Sequence, residues 1–164
     1  MKKIIYFALI FFVGINASRA QGSQYADNLI DYNNVTINNI PVLHLDTVSL
    51  IQHFGEPLSV SPHFNELENI HGYNYNYNEV QFTIENGWVM SFVVTGKQYS
   101  ITPYNIKVGD NINVLKSYFP LSFKNIKSDA DGYYMGINIK DTDRYLYIQA
   151  GSNSVITEIS VETY

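Results

Sequence analysis

Runs of alternating apolar and polar residues are the feature that most restricts the fold of this 164-residue chain. They occupy two separate parts of the sequence: 73–77, 80–84 and 88–94 in the first, and 133–139, 145–148 and 155–161 in the second. Because successive side chains of a strand point to opposite faces, a period of two predicts β-structure. Asn86-Gly87 lies between two of these runs and favours a two-residue hairpin turn, in which both positions adopt positive φ. The sequence therefore predicts two antiparallel meanders.

Each meander is preceded by the signals of a short amphipathic helix. An aspartate at the N-cap accepts hydrogen bonds from first-turn N–H groups, and Gly or Pro ends a helix because neither continues it easily. The first predicted helix runs from Asp46 to Phe54 and is stopped by Gly55. The second runs from Asp110 to Phe119 and is stopped by Pro120.

The two halves also match at a constant spacing. The offset of 64 residues that superposes the two capping aspartates also superposes Val35 on Tyr99 and Leu50 on Val114. One helix covers a three-stranded meander incompletely, so two such units are expected to share one interior. The sequence predicts an α+β fold of two similar helix-plus-antiparallel-meander repeats, with the helices packed on one face of the sheet or sheets. The predicted organisation is a signal peptide at 1–20, a flexible N-terminal tether at 21–34, a first repeat at 35–102 and a second at 103–164.

The N-terminus has the pattern of a secretory signal. Lys2 and Lys3 precede an apolar run at 4–13, and small residues surround a cleavage position at Ser18-Arg19-Ala20. The apolar run is too short to span a bilayer, so we expect no stable membrane insertion. The sequence predicts an exported protein, located in a periplasm or outside the cell.

The charge balance excludes several partners. Removal of the signal leaves seven Lys or Arg against fifteen Asp or Glu, and the remaining cations are scattered. Nucleic acid and anionic membranes need a basic surface, so both are disfavoured. The chain has no cysteine, which excludes disulfides and the lipid-modified cysteine of a lipoprotein.

The second half resembles a known repeat. Ile106-Lys107-Val108-Gly109-Asp110, the helix that ends at Phe119-Pro120 and the following strands are similar to the repeat shared by the beta-lactamase inhibitor protein and the small outer-membrane assembly lipoproteins. The first half matches through Phe54-Gly55-Glu56-Pro57 at the helix exit. The resemblance implies a tandem α+β module that binds other proteins through a concave sheet or its loops, without chemistry. This chain lacks the disulfides and the lipid anchor found in that family, so no partner and no contact residue is carried over.

Aromatic residues are the candidates for binding. Tyr73, Tyr75 and Tyr77 share one face of a predicted strand, and Trp88 directly follows the hairpin turn. Two interpretations remain open: the tyrosines pack beneath a helix, or they form an exposed surface for a protein or a glycan. The leading prediction is a non-enzymatic module that binds another protein, and the alternative is an adhesin-like glycan-binding protein.

Residues for catalysis or metal binding form no established pattern. The four histidines, His44, His53, His63 and His71, are spaced by 9, 10 and 8 residues, which fits no ligand pair on a strand or a helix. No Gly-x-Ser-x-Gly turn presents a nucleophilic serine, so a secreted hydrolase is the least favoured function. We predict no enzymatic activity, no catalytic residue, no metal and no cofactor. The sequence does not determine the oligomeric state.

Overall fold

The computed structural model describes residues 27–163, without the side chains of His44 and Thr163. The predicted signal peptide at 1–20 lies outside these residues, as does the first part of the predicted tether. Between residues 27 and 163, no helix is long and apolar enough to cross a membrane.

Strands make up 47% of the structure and helices 19%. The described residues form three short α-helices: α1 (Thr47–Phe54), α2 (Leu115–Tyr118) and α3 (Pro120–Lys124). They also form eleven strands: β1 (Leu29–Ile30), β2 (Thr36–Ile37), β3 (Ile40–Pro41), β4 (Ser59–Asn65), β5 (Ile70–Tyr77), β6 (Val80–Glu85), β7 (Trp88–Val94), β8 (Lys127–Ser128), β9 (Gly132–Ile139), β10 (Arg144–Gly151) and β11 (Ile156–Thr163). Single turns of 3-10 helix occur at Tyr32–Asn34, Val42–His44 and Ile112–Val114.

Nine of these strands form one mixed sheet, and β2 and β3 form a separate hairpin. The order across the sheet is β1-β9-β10-β11-β7-β6-β5-β4, and β8 also pairs with β9. The pairing of β7 with β11 is antiparallel and joins the strands of the two predicted halves. Its paired residues are Phe92 with Val161, Val93 with Ser160, and Val94 with Ile159.

The predicted fold of two helix-plus-meander repeats is wrong. The chain forms one large mixed sheet with few short helices, rather than two units that each carry a helix over a meander. The physical reason is that an edge strand presents unpaired N–H and C=O groups, and the β7–β11 pairing satisfies them. One core therefore includes residues from Ile30 to Val161, among them Phe82 and Leu146 on strands of the two predicted halves.

Local signals in the first half are confirmed. Asp46 is the N-cap of α1, where its Oδ1 accepts a hydrogen bond from the Ser49 backbone N–H at 2.7 Å. That bond is the main reason why the pKa of the Asp46 carboxyl is lowered. The helix ends at Gly55, whose φ is 81°, and Asn86 and Gly87 adopt φ of 53° and 84° in the hairpin turn.

The predicted second helix, Asp110 to Phe119, is broken in the structure. The Asp110 carboxylate accepts a hydrogen bond from the Lys107 N–H in a turn and does not cap a helix. A 3-10 turn leads into α2, and the chain leaves helical geometry at Phe119, with φ −131° and ψ 63°. Pro120 begins α3 instead of ending a helix, because a proline at the first helical position loses no intrahelical hydrogen bond.

The ordered structure begins upstream of Val35, where the sequence predicted a tether. Strand β1 pairs in parallel with β9 through Leu29 with Asn138 and Ile30 with Ile139. Ile30 is buried in the core. The final part of the segment 21–34 is therefore built into the sheet.

The pairing of β7 with β11, here named the seam, leads to a first prediction about stability. Phe92 is fully buried and faces Val161 across the seam, so Phe92→Ala should lower the free energy of unfolding by about 3–5 kcal/mol. Unfolding should remain a single transition when Trp88 fluorescence and far-UV circular dichroism are followed together, because both ends of the sheet share one core.

Val93→Ala is the matched control, since Val93 is adjacent but lies on the opposite, half-buried side of the strand. Val93→Ala should lower the free energy of unfolding far less than Phe92→Ala does. Separate transitions for fluorescence and circular dichroism would show that the two ends of the sheet fold independently.

Candidate binding face

The three predicted binding tyrosines lie on the apolar side of the sheet. Tyr73, Tyr75 and Tyr77 of β5 pair with Ile84, Phe82 and Val80 of β6, and these three β6 residues are buried in the core. Tyr75 and Tyr77 pack against that core, whereas Tyr73 is 55% exposed. The geometry favours the packing interpretation for Tyr75 and Tyr77.

Tyr77 is the most enclosed of the three. Its ring lies 5.8 Å from that of Phe82 and 6.2 Å from that of Phe54 on α1. Its hydroxyl is buried without a hydrogen-bond partner among the described residues. Burial is the main cause that raises the pKa of Tyr77 to about 12, and the negative charge of Glu56 adds to it.

Trp88 is not brought together with the tyrosines. It pairs with Glu85 across the hairpin, while the next residue, Val89, is fully buried in the core. Alternation along the strand therefore directs Trp88 to the side opposite the core, where it is 52% exposed. The four predicted binding residues lie on both sides of the sheet and do not form one surface.

The side of the sheet opposite the core is here named the open face. Strand register assigns to this face, among others, the following residues from β4 to β9: Ser59, Ser61, His63, Asn65, Asn74, Asn76, Gln81, Thr83, Glu85, Trp88, Ser91, Val93, Glu158, Ser160, Glu162, Tyr145, Tyr147, Gln149, Tyr134, Gly136 and Asn138. Apart from Ser160 and Glu85, these residues are half-buried or exposed. Groups able to form hydrogen bonds dominate it, which explains why this side does not join the core.

Polar side chains on the β4–β6 part of the open face bind one another. Thr83 Oγ1 donates to Asn74 Oδ1 at 3.0 Å, and Gln81 Nε2 donates to Asn76 Oδ1 at 2.6 Å. Asn76 Nδ2 in turn donates to Ser59 Oγ at 3.2 Å. These cross-strand pairs use much of the local hydrogen-bonding capacity within the protein itself.

A groove of about 1020 Å³ lies over β9, β10 and β11 at the other end of the open face. Tyr145 and Tyr147 lie in it with ring centroids 5.7 Å apart, stacked at 28°. A Cβ added to Gly136 would lie 3.3 Å from the Tyr147 ring and 3.5 Å from the Tyr145 ring. The glycine therefore lets both rings lie close to the sheet. Residues of α3, including Lys124, form one wall.

Two carboxylates lie beside these rings on β11. Glu162 pairs with Tyr145, and Glu158 pairs with Gln149. Burial raises the pKa of Glu158, and the nearby negative charge of Glu162 raises it further. Ser160 lies between the two acids, and its hydroxyl donates to Glu162 Oε1 at 3.4 Å.

A second cleft, of about 390 Å³, surrounds a buried carboxylate. Glu85 is 4% exposed, and its Oε1 lies 3.2 Å from His63 Nε2 and 3.3 Å from Asn65 Nδ2. Gly72 lies opposite Glu85 on β5, and a Cβ there would collide with the Ile84 carbonyl oxygen. The close approach of the two strands thus requires glycine at position 72. Glu162 lines both clefts, which makes them neighbours on one surface.

The titratable side chains in the described part of the chain form neither a metal-ligand cluster nor a serine–histidine hydrogen bond. No group of three or more His, Asp or Glu side chains between residues 27 and 163 could hold a metal ion. Asp129 accepts hydrogen bonds from the N–H groups of Asp131 and Gly132, which is turn chemistry. His63 is hydrogen-bonded to Glu85 and, within these residues, to no serine hydroxyl.

Tyr145 and Tyr147 are not among the predicted binding residues, although the sequence carries a signal for their exposure. In 145–148 the tyrosines alternate with Leu146 and Ile148, which are more apolar and take the core side. In 73–77 the tyrosines alternate with asparagines, so the tyrosines are the apolar members. The hydrophobicity of each tyrosine relative to its neighbours along the strand distinguishes packing tyrosines from surface ones.

The pKa of Glu158 generates the second prediction. A carboxyl whose pKa is raised on folding stabilises the folded state at pH values below its unfolded pKa. This stabilisation is lost as the pH rises through the pKa of the folded state. Glu158→Gln removes the charge, so the variant should have a higher Tm than the wild type at pH 7. The two should converge below about pH 4, where the wild-type carboxyl is protonated. Thermal melts over this pH range measure the effect, and a lower Tm of the variant at pH 7 would contradict the assignment.

Comparisons with known proteins leave the family open. No protein-family model matches the chain, and a comparison with curated proteins finds no match. Among solved structures, the chain is similar to an extracellular protein containing an SCP domain from Bacillus anthracis str. Ames, with 16% identity and a TM-score of 0.47. The match covers 74% of this chain and 44% of that chain, so this chain spans less than half its length. Similarity at this level carries no functional inference, and the resemblance to the beta-lactamase inhibitor repeat stays a prediction.

Proposed function

We propose that this protein is an exported, non-enzymatic binding module that recognises another protein through the open face. The observation that carries the proposal is the stacked pair of Tyr145 and Tyr147, which lies in a groove on the side of the sheet away from the core. Tyrosine rings provide a large, rigid contact area at low entropic cost, and a neighbouring polar rim provides orientation.

Two features support a protein partner over a glycan. The amide and hydroxyl groups of Asn74, Asn76, Gln81 and Thr83 already bind each other, so they are poorly placed to accept the many hydroxyl groups of a sugar. The groove with the tyrosine pair also contains charged side chains on its floor and wall, among them Glu158 and Lys124. Charged groups around aromatic rings match a protein surface better than a neutral glycan.

The hydrogen bonding of His63 agrees with a role without catalysis. A hydrolase that uses a histidine–carboxylate pair also needs a nucleophile hydrogen-bonded to the second ring nitrogen, and among residues 27–163 no serine hydroxyl is hydrogen-bonded to His63 beside its Glu85 contact. Export is proposed from the N-terminal sequence alone, through Lys2, Lys3 and the apolar run at 4–13.

The third prediction separates the two sides of the sheet. Tyr147→Ala should reduce capture of the partner from an envelope or culture extract at least tenfold, because it removes one ring of the stacked pair. Tyr73→Ala is the matched control: it removes an exposed tyrosine from the apolar side and should leave capture unchanged. Capture is measured by affinity purification with quantitative mass spectrometry, and far-UV circular dichroism confirms that both variants are folded.

Equal capture by wild type and Tyr147→Ala would contradict the assignment to the open face. If the wild type binds a glycan array and Tyr147→Ala does not, the open face is still the binding surface, but its partner is a glycan instead of a protein. Hydrolysis of ester, peptide or glycoside substrates that is lost in His63→Ala would contradict the non-enzymatic role.

A further inference from the structure

We propose that the partner of the open face is a basic, extended protein segment, whose Arg or Lys side chains bind over Tyr145 and Tyr147 beside Glu158 and Glu162. This inference rests on the proposed function and specifies the chemistry of the partner.

The charge of the surface is the first argument. Seven carboxylates and three permanently cationic side chains line the two neighbouring clefts. Among the described residues, ion pairs within 4.0 Å join His63 to Glu85 and Lys140 to Asp31, and neither Glu158 nor Glu162 takes part in one. The open face thus has an excess of negative charge that the described chain does not neutralise, and a cationic partner complements it.

The third cation, Arg144, does not fill this role. Its guanidinium donates to the Tyr32 hydroxyl and contacts Met90 Sδ, both at 3.4 Å, and it lies 6.0 Å from the centre of the Tyr32 ring. No ion pair within 4.0 Å joins Arg144 to Glu162, although both residues line the smaller cleft.

The tyrosine pair is the second argument. A guanidinium or ammonium group is attracted to the face of an aromatic ring, and the attraction increases where water is displaced. Tyr145 is paired with Glu162 across β10 and β11, and Tyr147 is paired with Ser160. A cation over these rings would therefore lie next to a carboxylate. Aromatic and acidic groups together bind a cationic side chain through two different interactions.

The state of Glu158 is the third argument. Burial and the charge of Glu162 both disfavour its ionised form, which raises its pKa. A bound cation would favour the ionised form, because its opposite charge beside Glu158 offsets the cost of burial and the repulsion by Glu162. A neutral glycan would relieve neither.

The lysines define where the cations bind. Lys124 and Lys127 line the larger groove on the side of α3 and β8, so they repel a cation at that end. Glu162 joins the larger groove to the smaller cleft, which contains Glu85 and Asp143. We therefore place the basic segment across β11 and toward β6, away from the lysine wall. Two neighbouring clefts fit an extended segment with several cations better than a single small cation.

The fourth prediction tests this inference directly. A fluorescein-labelled peptide of four Gly-Arg repeats should bind the full mature chain in 150 mM salt, whereas four Gly-Gln repeats should not. The double variant Glu158→Gln with Glu162→Gln should raise the Kd at least tenfold. The matched control is Glu56→Gln with Glu79→Gln, which removes the same charge from two exposed residues that line neither cleft and should change the Kd less than twofold. Fluorescence anisotropy measures the Kd of the wild type for each peptide and of each double variant for the Gly-Arg peptide.

A second variant separates ring contacts from net charge. Tyr147→Leu keeps an apolar side chain over Gly136 and the same charge, yet it should raise the Kd for the Gly-Arg peptide at least threefold. Equal weakening by the two double variants, or no effect of Tyr147→Leu, would overturn the inference. So would absence of Gly-Arg binding, or binding of neutral oligosaccharides instead. The proposed function fails separately, if the Tyr147→Ala variant captures its partner as well as the wild type.

Discussion

The antiparallel pairing of β7 with β11 is the interaction on which the rest of the structure depends. Without it, the β4–β7 strands and the β9–β11 strands would each end in an edge with unpaired backbone groups. The pairing of Val93 with Ser160 also determines which side chains of the sheet face the core and which face the opposite side. Side chains alternate along each strand, and paired residues on neighbouring strands lie on the same side. Phe92 and Val161 consequently face one core, and every polar residue in phase with Ser160 faces the other side. The open face is a consequence of this register.

Local features of the fold could be predicted because a few neighbouring residues determine them. Asp46 and Gly55 define the ends of α1, and Asn86-Gly87 defines the hairpin. Pro120 shows the limit of such signals, since a proline can follow the end of one helix or begin the next, and here it begins α3 directly after the buried Phe119. The strand Ser59–Asn65 was not predicted, because it is an edge strand with a central proline and lacks a buried apolar face.

The global arrangement could not be predicted for a different reason. Alternation shows which residues share a face, but it does not show which strands are neighbours or which face is covered. Tyr73, Tyr75 and Tyr77 were correctly placed on one face, yet the buried side chains of Phe82 and its neighbours decide that this face belongs to the core. Tyr145 and Tyr147 face outward because Leu146 and Ile148 take the core. The relative hydrophobicity of the two faces of a strand, rather than the presence of rings, determines the outcome.

The carboxylates of the open face explain why this side of the sheet differs from a merely solvated surface. A solvated surface separates like charges and leaves each side chain hydrated, whereas Glu158 is partly buried and lies within the field of Glu162. This arrangement lowers the stability of the folded chain at neutral pH, and a glutamine would avoid the cost. Titratable groups with shifted pKa values are enriched at functional sites. The stacked tyrosines lie beside these carboxylates in the groove over β9, β10 and β11, and the proposed binding site combines the acidic and the aromatic residues.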